Sequence, residues 1–318
     1  MSYIKNLTRA ILGRGVDYEK LFYDYHLLNS GASAVGAVTP PVAMQMSAVF
    51  ASVRLLSESI AMLPLNLYKK NGRNKDIATD HPLYTLLKYK PNQDMNGFVF
   101  MQTLVASMLL RGSGYIQKVT NKYGATLELC LLLPQYVSKK RVNGEIIYTY
   151  STENGSRDFR QFEIASIPYF TTNGIDGLSP IGVCRNAVKL GLTAENHATY
   201  FYENGAKPNG FIKNPGVLTP EAFNRLKQSI NDNYSGSNSF KVGILEGGAE
   251  YQGVTLNLKD AQFIESRKFQ VSEIARIYGV PPHKIGDLEK ATFSNIEQQN
   301  TDFAVSSIQP LCTKIEAE

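Results

Sequence analysis

The sequence predicts an α+β fold, in which a mixed domain with antiparallel strands is followed by two long helices that enclose a small α/β insert. Three observations carry this expectation. Asn143-Gly144 is flanked by alternating segments at 137–142 and 145–150, and Asn-Gly between such runs is a strong hairpin signal, because both turn residues must accept positive φ. Helical periodicity runs on from Ser179 and again from Asp260, with turn-rich sequence between them. Hydrophobic residues make up 43% and charged residues 19% of the 318 residues, the balance of a chain able to bury a sizeable core.

Taken in order, residues 1–46 read as a partly flexible lead-in, with linker composition at 30–41 (SGASAVGAVTPP). A first helix begins near Ser47, turns Phe50, Val53, Leu56 and Ile60 inward, and stops before Pro64. Residues 65–69 read as a short strand turned by Asn71-Gly72, and His81-Pro82-Leu83 as a turn into a short helix. A helix over 98–110 has Asn96 as its cap and Met101, Leu104, Val105 and Met108 as its buried stripe, and Gly112 closes it. Strand-like alternation follows at 115–119 and 127–131, ahead of the Asn143-Gly144 hairpin.

From Ser179 the texture changes. Ser179-Pro180 is a helix start, and the pattern Ile181, Cys184, Val188, Leu192 continues to about Asn204. Thr219-Pro220-Glu221 opens another helix with Phe223, Leu226 and Ile230 inward, and short β elements follow at 241–245 and 250–256. Asp260 caps a long helix carrying Phe263, Val271, Ile274 and Tyr278, which ends at Gly279-Val280-Pro281-Pro282. Ser294 and Glu297 have capping-box spacing for a last helix, which carries Phe303 and Ile308 and is disturbed at Pro310.

Chemistry is hard to find in this pattern. There is no GxxxxGK[ST] and no GxGxxG after a strand, and His26, His81, His197 and His283 stand apart from one another and from cysteine. Cys130, Cys184 and Cys312 have no CxxC spacing and read as free thiols of a reducing compartment. Gly112-Ser113-Gly114 lacks the GxSxG frame and reads as a helix-to-strand turn. No cofactor, no metal and no catalytic residue is expected, and the chain is not read as an enzyme. Neither a secretory signal nor an apolar run near the roughly 20 residues of a membrane span is present, so no membrane association is expected.

The formal charge of +5 permits contact with nucleic acid without demanding it. Lys139-Lys140-Arg141 reads as a solvated strand end beside the hairpin turn. Lys259, Arg267, Lys268 and Arg276 decorate the helix from Asp260, where ion pairs with Glu265 and Glu273 compete with DNA contact.

Four segments, in order, together resemble the portal family of long-tailed phages. They are SAVFASVRLLSESIAMLPLNL from Ser47; HPLYTLLKYKPNQDMNGFVF from His81 with LLRGSGYI from Leu109; GLSPIGVCRNAV from Gly177 with FYENGAKPNGF from Phe201; and FIESRKFQVSEIARIYGVPPHKIGDLEKATFSNIEQQ from Phe263. The resemblance implies a homo-oligomeric ring, typically of twelve subunits, at one capsid vertex. Double-stranded DNA would pass through it without being read for sequence. It also implies docking to the terminase large subunit, to the major capsid protein or scaffold, and to a head–tail connector. The chain would be made in a bacterial cytoplasm and end up in the virion. Another phage head or adaptor protein, or a phage maturation hydrolase, is the alternative.

On that resemblance 47–178 is the wing, 179–208 a wing and stem helix, 209–257 the clip insert, 258–282 a stem helix and 283–295 the tunnel loop. Residues 296–318 are a C-terminal wing helix leading to a missing or truncated crown. The loop carries Lys284 and Lys290 and the stem Lys268 as DNA-contacting candidates, and the clip carries Lys213, Arg225 and Lys241 as partner-docking candidates.

Overall fold

The computed structural model describes residues 38–153, 155–203, 210–213, 216, 219–225, 228, 250–253, 259–287 and 293–318. The chain divides into two compact units, one of Met1–Lys189 with Val271–Glu318, the other Leu190–Gln270.

In the first unit two helices lie at the centre. Helix α1 spans Ser47–Ala61 and buries Val49, Val53, Leu56 and Ile60. These follow one another at steps of four, three and four residues, a single helical stripe. Phe50, expected inward, falls one position off that stripe and is 46% exposed, with the Arg54 guanidinium 5.8 Å from its ring centre. The hairpin β1 (Tyr68–Asn71) and β2 (Asn74–Ile77) is exposed along its length, and α2 (Pro82–Lys88) follows, its first turn capped by His81 Nδ1 accepting from the Leu83 N–H at 3.2 Å. Helix α3 spans Gly97–Arg111, with Asn96 Oδ1 accepting from the Val99 N–H at 2.9 Å. It buries Phe100, Leu104, Val105, Met108 and Leu109. Phe100 takes the place expected of Met101, which is only half-buried, because its step of four to Leu104 lies closer to the stripe than a step of three. Where α1 packs on α3, Ser52 and Ser57 are buried and return their hydroxyls to the carbonyls of Ala48 and Arg54.

Two three-stranded antiparallel sheets follow. One has the order β4–β3–β8, from Thr126–Leu132, Ser113–Thr120 and Ile164–Pro168. The other has the order β5–β6–β7, from Val137–Val142, Glu145–Thr152 and Gly155–Arg160. Asn143 (φ 51°) and Gly144 (φ 89°) form the β5–β6 turn, the two left-handed residues of a type I′ hairpin. Side chains of both sheets share one core of Tyr115, Leu132, Tyr148, Tyr150, Phe159 and Ile164. Tyr115 and Tyr148 meet edge to face at 6.2 Å, a geometry favoured by the ring quadrupoles.

Lys139, expected at a solvated strand end, is instead half-buried, with its side chain turned inward. Its ammonium lies 5.2 Å from the centre of the Tyr115 ring, donates to the Ile175 carbonyl and sits 3.5 Å from the Asp176 carboxylate. Strand alternation explains the difference: Ser138 and Lys140 point outward, and Lys139 pairs with Tyr148, whose ring is in the core. Lys140 is exposed and pairs with Asp158 at 2.9 Å.

The helix expected to run unbroken from Ser179 is two helices. Ser179 Oγ accepts from the Gly182 N–H at 3.2 Å and donates to the Leu110 carbonyl at 2.7 Å, starting α4 (Pro180–Val183). The backbone leaves the helical region at Cys184 (φ −97°, ψ 26°), and α5 then runs Arg185–Glu203. Val188 and Leu192 are buried on α5, after the break at Cys184.

The second unit contains the antiparallel pair β9 (Gly210–Lys213) and β10 (Glu250–Gly253). Its short helical stretch after Thr219 is capped as expected, by Thr219 Oγ1 accepting from the Ala222 N–H at 3.3 Å, but Phe223 is 55% exposed rather than inward. Leu226, Ile230 and residues 241–245 lie outside the described residues. Burial raises the Glu195 carboxyl above its usual range, and the nearby Arg267 opposes that rise.

Helix α6 spans Lys259–Tyr278. A one-turn 3-10 helix, Pro282–Ile285, follows, and the chain ends in α7 (Phe293–Phe303), a π-helical turn (Ala304–Ile308) and α8 (Gln309–Ala317). The start of α7 at Phe293 places Ser294 inside the helix, not at its cap. Among the described residues no helix is long and apolar enough to cross a membrane.

Candidate functional site

The end of α6 collects several polar groups of the first unit. Ile274 and Tyr278 are buried and fix the last turn of the helix. Gly279 then takes a left-handed conformation (φ 66°), and the Val280 N–H donates back to the Ala275 carbonyl at 2.8 Å, which satisfies one of the carbonyls a helix end leaves open. Val280 is buried, and the two prolines that follow prevent continuation of the helix.

Pro282–Ile285 brings His283 and Lys284 next to α7. His283 Nε2 lies 3.4 Å from Asn300 Oδ1. The Lys284 ammonium sits 5.3 Å from the centre of the Phe303 ring, so Lys284 is half-buried and its stem is packed while its charge faces the aromatic ring. Behind it Ser272 Oγ donates to Asp287 at 3.3 Å, and Ser307 Oγ donates to the Gly279 carbonyl at 2.6 Å. Arg276, on the last turn of α6, is tied to Glu273 three residues earlier.

Beside this cluster is a cavity of about 430 Å³ lined by Tyr169, Pro180, Cys184, Tyr278, Leu311 and Lys314 among others. The Lys314 ammonium donates to the Tyr169 carbonyl and lies 5.7 Å from that ring's centre. Burial holds the Lys314 pKa below the usual lysine range and raises those of the Tyr169 and Tyr278 phenols. The Tyr278 hydroxyl is buried with no hydrogen-bond partner among the described residues. None of these groups forms a nucleophile–base pair, and among the described residues no three His, Cys, Asp or Glu side chains gather where they would hold a metal ion. The arrangement suits holding a loop and offering a cation.

The residues singled out in the sequence are distributed unequally. Lys284 is placed on Phe303 in the first unit. Lys268 on α6, Lys213 at the end of β9 and Arg225 after Thr219 belong to the second unit and are exposed. Lys290 and Lys241 lie outside the described residues. Sequence reasoning missed Lys139, Lys314 and the π-helical turn. Pro310 was the available signal for the turn, since a proline inside a helical pattern must displace a hydrogen bond.

Comparison with known proteins gives a consistent result. The family model described as "Phage portal protein" matches residues 47–318. The portal protein of Enterobacteria phage HK97 is 33% identical over 278 residues, covering 86% of this chain and 66% of that protein. The probable portal protein of Streptomyces phage phiC31 is 35% identical over 316 residues, covering 93% of this chain and 68% of that protein. This chain therefore spans about two thirds of the length of these relatives. A solved structure of the neck of an empty GTA (gene transfer agent) particle, computed with C6 symmetry, aligns with a TM-score of 0.65 at 26% identity, covering 90% of this chain and 81% of that one.

Proposed function

Because this chain belongs to the phage portal protein family, we propose that it is one subunit of a homo-oligomeric ring at a single capsid vertex, through which double-stranded DNA is packaged and later ejected. The observation that carries the reading is the family match over 47–318, joined to a neck-like fold. The family is structural rather than enzymatic, and the residues around the end of α6 suit that role, offering packed cations in place of a reacting group.

A conduit must hold the duplex without gripping it. Each phosphate neutralised by Lys or Arg adds salt-dependent affinity, and several together bind strongly. In a ring every side chain is repeated once per subunit, so one lysine becomes a collar of charge. A formal charge of +5 spread over 318 residues is compatible with sliding. Among the described residues no element resembles a recognition helix, which supports contact independent of sequence. Ring closure uses a heterologous interface, one face of a subunit against a different face of its neighbour, and we read the number of subunits as twelve.

In this reading 283–295 faces the duplex, with Lys284 and Lys290 as contacts and Lys268 on the stem. The insert at 209–257, with Lys213, Arg225 and Lys241, docks the terminase large subunit during packaging and the head–tail connector afterwards. The wing meets the major capsid protein or scaffold, and the assembled ring resides in the virion after synthesis in the host cytoplasm. The sequence has no phosphate-cradling motif, so the terminase, not this chain, supplies the packaging energy.

Negative-stain electron microscopy of concentrated protein is the direct test. Rings with a hole wide enough for a duplex are expected, and a protein that stays monomeric with its capsid and scaffold partners present would overturn the reading. For the loop, Lys284→Ala with Lys290→Ala should impair packaging or DNA retention while rings still form. The salt dependence of DNA binding should weaken by about one counterion per phosphate contact removed. Normal packaging by the double variant would remove the loop from the DNA path.

A further inference from the structure

The π-helical turn is what the portal reading leaves unexplained. Helices rarely widen to π geometry, and they do so mostly as single turns that accommodate one extra residue. Here the Gln309 N–H donates to the Ala304 carbonyl, five residues back. The local cause is Pro310. It has no N–H to give and its ring collides with the carbonyl four residues earlier, that of Ser306, which is inside the turn. Widening the helix just before the proline relieves that collision without ending the helix.

The consequence is a change of register. Phe303 before the turn and Leu311 after it are both buried. In an uninterrupted α-helix their separation of eight residues leaves them about 80° apart around the axis, at about 100° per residue. Absorbing one residue in the turn makes them equivalent to a seven-residue pair, about 20° apart. The extra residue brings both side chains nearly onto one line of the inward face. The same register puts Asn300 beside His283, the Phe303 ring beneath Lys284, and Ser307 under the Gly279 carbonyl. Three separate contacts to the segment after α6 thus come from α7 and the π-turn, while α8 is held independently by Leu311 and by Lys314 on Tyr169.

We propose that the π-turn Ala304–Ile308, held open by Pro310, is the positioning element of the Pro282–Ile285 turn. It sets the register of α7 on α8, so that Phe303, Asn300 and Ser307 fix Lys284 and His283 where the duplex passes. The proposal rests on the reading of 283–295 as facing DNA. It assigns a role in DNA passage to residues that touch no DNA themselves.

The test uses a chain carrying His283→Cys and Asn300→Cys. A short thiol-to-thiol cross-linker is applied to rings without DNA, and the linked peptides are mapped by mass spectrometry. With the π-turn intact the 283–300 link forms. Pro310→Ala restores the missing N–H and lets the helix close as α with every residue kept, so α7 turns by about 100° relative to α8, and the yield should fall about tenfold while helix content is unchanged. Deleting Ser306 in the Pro310→Ala chain leaves Phe303 and Leu311 seven residues apart in an uninterrupted α-helix, about 20° apart as before, and should restore the yield. An unchanged yield in Pro310→Ala, or no recovery in the double variant, overturns the proposal. Packaging is then assayed in the same variants without the added cysteines, and loss of DNA retention by intact Pro310→Ala rings is expected. A lowered yield with normal packaging would instead overturn the DNA-facing reading on which the proposal rests.

Discussion

Two helix ends in the first unit are built in opposite ways. At the end of α3 the chain passes through Gly112, with φ 87°, into β3, and backbone meets backbone. A Cβ built on Gly112 would lie 2.5 Å from the Leu178 carbonyl carbon and the Ser179 nitrogen, and one built on Gly177 would lie 1.8 Å from the Gly112 oxygen. Ser113 Oγ accepts from the Gly177 N–H at 3.2 Å, the Tyr169 N–H donates to the Gly112 carbonyl at 2.8 Å, and Ser179 holds the Leu110 carbonyl. At the end of α6 the corresponding work is done by side chains. There Ser307, Phe303 and Asn300 reach the following segment from α7 and the π-turn, beside a cavity of about 430 Å³. The first junction is a fixed joint between a helix, a sheet and a loop. The second is a set of replaceable side-chain contacts around the segment that follows α6.

The sharpest way to break this contrast is at the fixed joint. Gly177→Ala puts a methyl group into a backbone carbonyl that cannot move without pulling α3 and β3 apart. The expected cost is about 3 kcal/mol, at the upper end for overpacking, read as a lower urea midpoint. The equivalent change at Gly279, whose Cβ would lie 3.4 Å from the Ser307 hydroxyl, meets only a movable side chain, and its cost comes from the left-handed backbone, about 1 kcal/mol. Equal costs at the two glycines would show that the joints do not differ in rigidity.

A smaller effect is expected at Lys139, which ties the loop preceding Gly177 to the core between the two sheets. Lys139→Met keeps the packed stem and removes the ammonium, leaving the Ile175 carbonyl and Asp176 without it. The expected loss is about 1–2 kcal/mol, the range for a charge-assisted hydrogen bond. Proteolysis should become faster at 171–177 but not around 283–287. Protection lost equally at both places would mean that the two loops share one cooperative unit.

The contrast also marks what the sequence could disclose. The turn at Asn143-Gly144, the cap at Asn96 and the stop at Gly112 are local rules written in adjacent residues, and each stands where those rules put it. The four ordered segments were enough to indicate the family. Contacts between distant segments left weaker traces. Lys139 sits in a basic triplet that looks solvated, and only its pairing with Tyr148 across the sheet turns it inward. Phe50 and Met101 are apolar residues one position from the buried stripe, a distinction that depends on how α1 and α3 meet. Pro310 was visible as a disturbance, yet its result, a widened turn rather than a kink, depends on Phe303 and Leu311 both having a core to reach. For the candidate site, lysine identity was legible in Lys284, whereas the Phe303 ring beneath it is 19 residues further along the chain.

The smallest expected effect has the opposite sign and lies at the adjustable joint. Tyr278 is almost completely buried at the end of α6, and its hydroxyl has no hydrogen-bond partner among the described residues. An unsatisfied buried hydroxyl costs about 1 kcal/mol or more, so Tyr278→Phe should raise stability by about that amount at neutral pH. Burial foremost, with Tyr169 and Cys184 nearby, lifts the phenol pKa above its usual value. The native state therefore keeps the proton where the unfolded chain, with a pKa of about 10, gives it up. Its contribution is fully present below about pH 10 and is lost as pH rises from there toward the folded value, by up to about 1.4 kcal/mol per pH unit. Tyr169 and Tyr115 are shifted the same way by burial, so Tyr278→Phe should flatten the alkaline fall in stability without abolishing it. Urea melts of both proteins at neutral and alkaline pH measure the difference. A variant less stable at neutral pH, or equally steep above pH 10, would show that the Tyr278 hydroxyl is held by a partner, and that this end of α6 is as closed as the end of α3.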